Sequence, residues 1–264
     1  MDLAEEKRLI EEKYGPWTAH NMRLPGGLYT RDPGSAGGWR ARRILQLASD
    51  LAGLPFASMR VLDLACLEGL FGAEFAARGA EVVGIEIREA NIVKARFVKR
   101  ALGLDRLTLL QEDVRQVSHE RHGAFDVILC LGILYHLEAD HAAKLLRELR
   151  RMTRRMLIVD THIALQAEKS VNIDGREYWG SVYREHDPDS TPDVRARVLW
   201  ASADNDTSFW FTRDSLVDLL REAGYPAVLE CHSPEVKKKR ADRVTVVAMA
   251  GEAVAPKLAA TDNP

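Results

Sequence analysis

The stretch Val61–Ile87, VLDLACLEGLFGAEFAARGAEVVGIEI, determines the fold class that the sequence predicts. An apolar strand is followed by a short turn and an amphipathic helix, and a second apolar strand then ends on Glu86. This order is typical of the βαβ unit of nucleotide-binding α/β folds. The turn, residues 65–69, contains one glycine, whereas turns that bind a diphosphate usually contain several. What this turn can bind is therefore the first question that the sequence raises.

Regular alternation of strands and helices continues on both sides of this unit. Short strands that are apolar throughout predict a parallel sheet covered by helices on both faces. We expect an α/β fold with a doubly wound, seven-stranded, mostly parallel sheet, a Rossmann-like arrangement whose last two strands form an antiparallel hairpin at the edge. The predicted strands are 60–65, 81–86, 107–111, 125–131, 156–161, 227–232 and 243–249, and the predicted helices are 2–13, 39–52, 69–78, 89–102, 139–152 and 212–223.

Segments outside this alternation set the domain organisation. Residues 1–52 combine a charged helix, a Gly- and Pro-rich stretch and an amphipathic helix, and we expect an N-terminal helical cap on the core. Residues 53–250 form the main domain. Its segment 162–211 is aromatic and polar, and we expect a lid insertion because long loops in compact domains usually cover a site. Residues 251–264 are expected to be a disordered tail.

Composition narrows the classes of function. The chain has 264 residues, of which 46% are hydrophobic, and a net charge of -2, which argues against a dedicated nucleic-acid or membrane-surface protein. Cys66, Cys130 and Cys231 lie in apolar stretches and predict reduced thiols of a cytoplasmic protein. The sequence contains neither a signal peptide, a membrane-spanning run nor a zinc motif. A monomer and a homodimer both remain open.

The residues of the turn discriminate between cofactors. A diphosphate needs close approach of backbone N–H groups, but Leu67 is bulky and Glu68 repels an anion. A cofactor with a cationic or zwitterionic centre meets no such obstacle. S-adenosylmethionine (AdoMet), with its sulfonium, its amino group and its single ribose, fits this turn, and Glu68 is expected to face the amino group.

Acidic residues end the first three predicted strands, at the edge where open α/β sheets bind their ligands. Asp63 and the turn are expected to contact the methionine end of AdoMet, Glu86 both ribose hydroxyls, and Asp113 the adenine amino group. We expect Gly69 where the chain enters the helix close to the ligand. The complete predicted cofactor site is Asp63, Ala65, Cys66, Gly69, Glu86, Ile87, Asp113, Val114 and Leu131.

These motifs, in this order, resemble those of the class I AdoMet-dependent methyltransferases over residues 60–160, and more weakly as far as residue 249. The family's glycine-rich motif reads D-x-G-x-G-x-G. Asp63 and Gly69 match it, whereas Ala65 and Leu67 replace the first two glycines. The resemblance implies a methyltransferase that uses AdoMet.

A closer local resemblance is to the tRNA wobble-uridine carboxymethyltransferases. It rests on WTAHNMRLPGGLYT (residues 17–30), GILYHL (132–137) and FWFTRDSLVDLLREAGY (209–225). That family uses carboxy-AdoMet, and the resemblance implies that Tyr135 helps to bind the additional carboxylate.

A small polar acceptor is expected beside the cofactor, with oxygen slightly favoured over nitrogen as the methylated atom. An oxygen acceptor needs a general base, and histidine suits this role near neutral pH. The candidates are His136 after the fourth strand, His162 after the fifth, and His20 in the N-terminal segment. The predicted acceptor site comprises Tyr135, Asp160, Trp179, Arg184 and Trp210.

Three other functions remain open. The first is carboxymethyl transfer from carboxy-AdoMet. The second is a nicotinamide-dependent dehydrogenase built on the same βαβ unit, which the missing glycines disfavour. The third is a nucleic-acid-binding module on a methyltransferase fold. Its only support is the basic run Lys237–Arg240.

Overall fold

The structure, a computed structural model, describes residues 2–33, 38–232 and 241–251. The helices are α1 (Leu3–Tyr14), α2 (Trp39–Leu51), α3 (Leu70–Ala76), α4 (Glu89–Ala101), α5 (His119–His122), α6 (Ala139–Met152), α7 (Pro192–Arg197) and α8 (Arg213–Glu222). The strands are β1 (Arg60–Leu64), β2 (Glu81–Ile85), β3 (Leu107–Leu110), β4 (Phe125–Leu131), β5 (Thr153–His162), β6 (Lys169–Ile173), β7 (Arg176–Arg184), β8 (Thr207–Phe211), β9 (Ala227–Glu230) and β10 (Arg243–Met249).

The main sheet has seven strands in the order β3-β2-β1-β4-β5-β10-β9. Strands β1 to β5 are parallel, and β10 runs antiparallel to both of its neighbours. The predicted doubly wound sheet with an antiparallel edge hairpin is thus confirmed. Because the strand order reverses between β1 and β4, the loops after these strands diverge and leave a crevice.

Strand β4 shows why the core has two apolar layers. Its seven residues are all buried, and alternate side chains point to opposite faces of the sheet. Val127 and Leu129 pack in the cluster that includes residues of α2, α3 and α4. Ile128 and Cys130 pack in the cluster that includes residues of α6 and α8. Burial on both faces therefore explains why the sequence of β4 is apolar without alternation.

Segment 162–211 is not the irregular loop that its composition predicts. Strands β6, β7 and β8 form a separate three-stranded antiparallel sheet, and α7 lies between β7 and β8. Asp174 and Gly175, both with positive φ, form the two-residue turn between β6 and β7. Asp-Gly is a strong signal for such a hairpin, so this pair was the clue available in the sequence. Whether the segment acts as a lid stays a prediction.

Replacement of Gly180 by alanine should destabilise this small sheet. A Cβ atom at Gly180 would overlap the carbonyl oxygen of Trp210 and lie 2.5 Å from Cε1 of Phe209. Since backbone cannot yield without breaking the pairing of β7 with β8, we expect a loss of about 1–3 kcal/mol in the free energy of unfolding, measured by urea denaturation. Gly251→Ala is the control, because nothing lies within 4 Å of its Cβ position. Equal stability of the two variants would contradict this account.

Candidate active site

A cavity of about 320 Å³ lies at the carboxyl edge of the parallel strands, in the crevice formed by the reversal of strand order. The N-terminal segment and a loop of the 162–211 insertion complete its wall. Nine of the residues predicted from the sequence line it: His20, Ala65, Glu86, Ile87, Asp113, Val114, Leu131, Tyr135 and His136. Asp63, Cys66, Gly69, Asp160, His162, Trp179, Arg184 and Trp210 do not.

The turn after β1 has the backbone shape of a glycine-rich turn although it contains a single glycine. Ala65 and Leu67 have φ values of 48° and 49°, and Gly69 has 86°. These are the three positions at which the motif D-x-G-x-G-x-G has glycine. A left-handed conformation costs a non-glycine residue roughly 1–2 kcal/mol, so neighbouring contacts must hold the turn. Leu67 N–H donates to Oε2 of Glu86 at 3.0 Å.

Gly69 and Cys66 support the turn rather than line the cavity. A Cβ atom on Gly69 would lie 3.0 Å from Cβ of Ala95, so glycine is required here for close packing against α4. Cys66 is buried, and burial raises the pKa of its thiol. Its backbone N–H donates to the carbonyl of Ile85. The structure therefore shows both residues supporting the turn, and their predicted contact with the cofactor stays a prediction.

Asp63 lies beneath the cavity instead of in its wall. Its side chain is buried, and Oδ2 accepts a hydrogen bond from Gly72 N–H at 2.8 Å. Burial raises the pKa of Asp63 to about 7, and the nearby Glu86 carboxylate acts in the same direction. Asp63 thus holds the first turn of α3, and its expected contact with the methionine end of the cofactor stays a prediction.

Glu86 is placed for the predicted ribose contact. The residue is only 3% exposed, yet it lines the cavity. Oε2 accepts from Leu67 N–H, and Oε1 accepts from Arg88 N–H at 2.8 Å. Burial raises the pKa of this carboxyl. Two hydroxyl donors on the cavity side would use the remaining lone pairs, which is the donor pattern of a ribose.

Asp113 lies at the end of the cavity expected to hold adenine, and Arg115 already pairs with it. Oδ1 accepts from Arg115 N–H at 2.8 Å, and Oδ2 accepts from Nε at 2.8 Å. Burial raises the pKa of Asp113, but the hydrogen bonds from Arg115 outweigh this effect and lower it overall. A carboxylate has roughly four acceptor positions, so Asp113 retains capacity for an amino group.

The insertion contributes the loop 199–205 to the cavity wall. Two arginines hold this loop in place. Arg88 Nη2 donates to the carbonyls of Ala201 and Ser202 at 3.1 and 2.9 Å. Arg115 Nη2 contacts Oδ2 of Asp204 at 2.6 Å. The loop therefore rests on residues that follow β2 and β3, next to Glu86 and Asp113.

Glu68 faces the N-terminal segment and not the cofactor, which corrects its predicted role. Its carboxylate accepts hydrogen bonds from the backbone N–H groups of Thr18, Ala19 and His20 at 2.6, 3.1 and 2.8 Å. Lys94, which is fully buried with it, lies 3.9 Å away. All three N-terminal residues line the cavity. Glu68 therefore fastens the N-terminal segment as a wall.

The three candidate histidines differ in their surroundings. His20 is buried, and burial together with the Arg40 charge lowers its pKa to about 3. Its Nδ1 already accepts from Leu70 N–H. His162 lies outside the cavity, between Asp242 at 3.2 Å and Arg243 at 3.1 Å, so both ring nitrogens have partners. Neither environment favours a general base.

His136 is paired with a buried carboxylate that sequence reasoning missed. Its Nδ1 lies 3.0 and 2.9 Å from the two oxygens of Glu185. Glu185 also accepts from Ser202 N–H at 2.8 Å and from Ser208 Oγ at 2.6 Å. Burial raises the pKa of Glu185, but the hydrogen bond from His136 and the other contacts lower it overall. No signal in the sequence joins two residues that lie 49 positions apart.

The residues predicted for the acceptor are divided between several places. Tyr135 lines the cavity, and Asp160 lies behind the wall. The Trp210 ring stacks on His162, with centroids 4.8 Å apart, and forms a second layer. Trp179 and Arg184 are exposed away from the cavity. A role for these two in binding an acceptor here is therefore not supported.

Comparisons with known proteins agree with this geometry. The family model described as a methyltransferase domain matches residues 61–156. The ubiquinone biosynthesis O-methyltransferase of Ruegeria pomeroyi is 30% identical over 174 residues, 66% of this chain and 62% of that protein. The protein of the same name from Acinetobacter baumannii (strain AYE) is 30% identical over 81 residues, 31% of this chain. The match spans only 34% of the Acinetobacter protein.

Two solved structures are similar along most of the chain. The N-terminal domain of EvdMO1, crystallised in the presence of SAH (S-adenosylhomocysteine) and D-fucose, has a TM-score of 0.73 and 25% identity, over 95% of this chain and 98% of that one. The magnesium protoporphyrin IX methyltransferase of Synechocystis PCC 6803, with bound SAM, has a TM-score of 0.51 and 17% identity, over 80% and 77% of the two chains. Because only 17% of the residues are identical, the similarity to the Synechocystis protein supports the fold and not a shared function.

Fold, site and comparisons define the class: the chain contains a class I AdoMet-dependent methyltransferase domain. AdoMet is its cofactor, and this finding displaces the nicotinamide interpretation. Within the described ranges no group of three or more His, Cys, Asp or Glu residues could hold a metal ion. Nor is any helix of that part long and apolar enough to cross a membrane. The Lys237–Arg240 run lies outside the described residues.

Glu86→Ala should weaken AdoMet binding by about 1–3 kcal/mol, because a pair of charge-assisted hydrogen bonds to the ribose is lost. Isothermal titration calorimetry with AdoMet measures the change. Glu81→Ala is the matched control, since Glu81 lies on the same strand at its exposed opposite end. Unchanged affinity in a folded Glu86→Ala protein would refute the ribose assignment.

Glu68→Gln should loosen the N-terminal segment. The amide retains one acceptor oxygen where the carboxylate serves three backbone donors, and Lys94 loses its ionic partner. We expect faster hydrogen exchange at the amides of Thr18 to His20, by about tenfold, since a hydrogen bond to a charged group is worth roughly 1.5–3 kcal/mol. Exchange detected by mass spectrometry provides the measurement, with the exposed Glu74→Gln as control. Identical protection in both variants would exclude this role.

Proposed function

We propose that this protein transfers the methyl group of AdoMet to a hydroxyl oxygen of a small polar acceptor, with His136 as general base. The observation that carries the proposal is the contact of His136, which lines the same cavity as Glu86, with the buried carboxylate of Glu185. A histidine held by a carboxylate through one ring nitrogen is a common arrangement for a base, because the partner selects the tautomer and stabilises the imidazolium.

The chemistry follows from this pairing. When bound, AdoMet supplies an electrophilic methyl carbon on a sulfonium. Glu185 accepts the hydrogen of Nδ1, so Nε2 of His136 is the nitrogen left to take the acceptor's hydroxyl proton. The oxygen forms the new bond to the methyl carbon, and the electrons of the broken S–CH₃ bond stay on sulfur. The proton remains on His136 until solvent removes it.

The wall around the cavity aligns the reactants and excludes water, which is the main task of a methyltransferase. Glu68 fastens the N-terminal segment on one side. On the other side Arg88 holds the loop 199–205. We infer that the insertion serves as the lid, and that residues 1–52 serve as the cap of the domain.

Support for oxygen as the acceptor atom comes from the similar proteins. The Ruegeria relative is named an O-methyltransferase. The N-terminal domain of EvdMO1 was crystallised in the presence of D-fucose, a compact acceptor candidate with several hydroxyls. A methylated hydroxyl is a strongly acidic oxonium unless its proton leaves, whereas a methylated amine is a stable ammonium, so a hydroxyl gains more from a neighbouring base than a neutral amine does.

His136→Gln should lower kcat by about 10²–10⁴-fold without weakening AdoMet binding, because the general base is lost and the cofactor contacts remain. Release of SAH across a panel of sugars, sugar acids and phenols identifies an acceptor and then measures the rate. In Glu185→Gln we also expect a lower kcat, since Nδ1 of His136 loses the carboxylate that holds the ring in place.

His141→Gln is the control for these variants, because its ring pairs with Glu138 at the start of α6 and does not line the cavity. Its rate should match that of the unmodified protein. Full activity of His136→Gln would rule out the assigned base while leaving AdoMet binding intact.

A further inference from the structure

Three hydrogen-bond donors converge at the end of β4. Gly132, with φ of 100°, directly follows this strand. A Cβ atom on Gly132 would lie 3.6 Å from Nη2 of Arg243, 3.8 Å from Oη of Tyr135 and 4.0 Å from Nη2 of Arg40. All four residues line the cavity. Because Gly132 has no side chain, the space between these donors stays open to a ligand.

The two arginines share one carboxylate. Asp160 Oδ1 accepts from Arg40 Nη2 at 2.8 Å and from Arg243 Nε at 2.7 Å. Its Oδ2 accepts from Thr245 Oγ1 at 2.7 Å. On the far side of Arg243, the His162 ring separates this guanidinium from Asp242. The cavity wall at this point therefore carries more positive than negative charge.

Arg40 is incompletely satisfied. Its Nε is buried, and no hydrogen-bond partner for it exists in the part of the chain that the structure describes. Burial lowers the pKa of Arg40, and the like charge of Arg243 adds to this effect. Asp160 already pairs with Arg40 through Nη2, but the buried N–H group at Nε remains costly unless a further acceptor binds it. These features are those of a site for a carboxylate, which arginine binds through paired hydrogen bonds.

We propose that Arg40, Arg243 and Tyr135 bind a carboxylate of the acceptor, so that the acceptor is a compact hydroxy acid. The inference rests on the proposed function, because His136 must receive the acceptor's hydroxyl proton. The Tyr135 and His136 rings are neighbours, with centroids 4.2 Å apart. A hydroxyl at His136 and a carboxylate at Tyr135 therefore belong to one small molecule, of the size of a sugar acid.

Three sugars of one ring configuration test this subsite. D-fucose, D-galactose and D-galacturonate differ at C6, which is a methyl, a hydroxymethyl or a carboxylate group. Calorimetry is done on the protein saturated with SAH. We expect D-galacturonate to bind about tenfold or more tighter than D-galactose, in line with the strength of hydrogen bonds to a charged group.

Arg40→Gln and Tyr135→Phe should each reduce this preference to about threefold or less, whereas Arg96→Gln, an exposed arginine on α4, should preserve it. In Arg40→Gln, Asp160 still accepts hydrogen bonds from Arg243 and Thr245, so its buried charge remains paired and the variant should fold. Tyr135→Phe removes only the hydroxyl, and it tests the subsite even where an arginine variant fails to fold.

A carboxylate on the transferred group of carboxy-AdoMet would meet the same three donors. The same titrations are therefore made with AdoMet and carboxy-AdoMet. Tighter binding of carboxy-AdoMet, lost in Arg40→Gln and Tyr135→Phe, would overturn the proposal by assigning the subsite to the cofactor. Equal binding of D-galacturonate and D-galactose, or binding of neither, would also overturn it. Different results would contradict the proposed methyl transfer itself. These are a protein that does not bind AdoMet, or a reaction rate that does not change in His136→Gln.

Discussion

The left-handed turn between β1 and α3 is the constraint on which the site depends. Ala65 and Leu67 are held at positive φ without the help of glycine, so other groups must stabilise the turn. Glu86 accepts from the N–H of Leu67 and connects the turn to the end of β2. Glu68, which the turn directs toward the N-terminal segment, accepts hydrogen bonds from the backbone of that segment and holds it in place. One short turn thus positions Glu86, the residue predicted to bind the ribose, and closes one side of the cavity.

The insertion closes the opposite side and at the same time supports His136. Ser202 lies in the loop that Arg88 holds over the cavity, and its N–H donates to Glu185. Glu185 in turn holds Nδ1 of His136. Placement of the loop and orientation of the histidine are therefore linked through a single buried carboxylate. This coupling connects the part of the wall near the cofactor to the acceptor side of the cavity.

Local sequence was sufficient for most elements of the main sheet and its helices, although the local hairpin of β6 and β7 was missed. The apolar strands, the helix boundaries and Glu86 at a strand end follow from periodicity and from the edge at which α/β sheets bind ligands. Sequence reasoning failed where a side chain has a distant partner. Glu68 was expected to face the cofactor but meets Thr18 and His20, and Glu185 gave no sign of its contact with His136.

The sequence alone determined the α/β class, the seven mostly parallel strands with an antiparallel edge hairpin, and AdoMet as a better match than a diphosphate cofactor, because these follow from patterns within a few tens of residues. Only the tertiary structure decided which cavity-lining histidine contacts a buried carboxylate, why Asp63 lies below the cavity, and where Arg40 and Arg243 share Asp160. Arg40 precedes the first strand, and Arg243 begins the last one. The two arginines proposed to bind an acceptor lie far apart in the sequence, and folding alone brings them together.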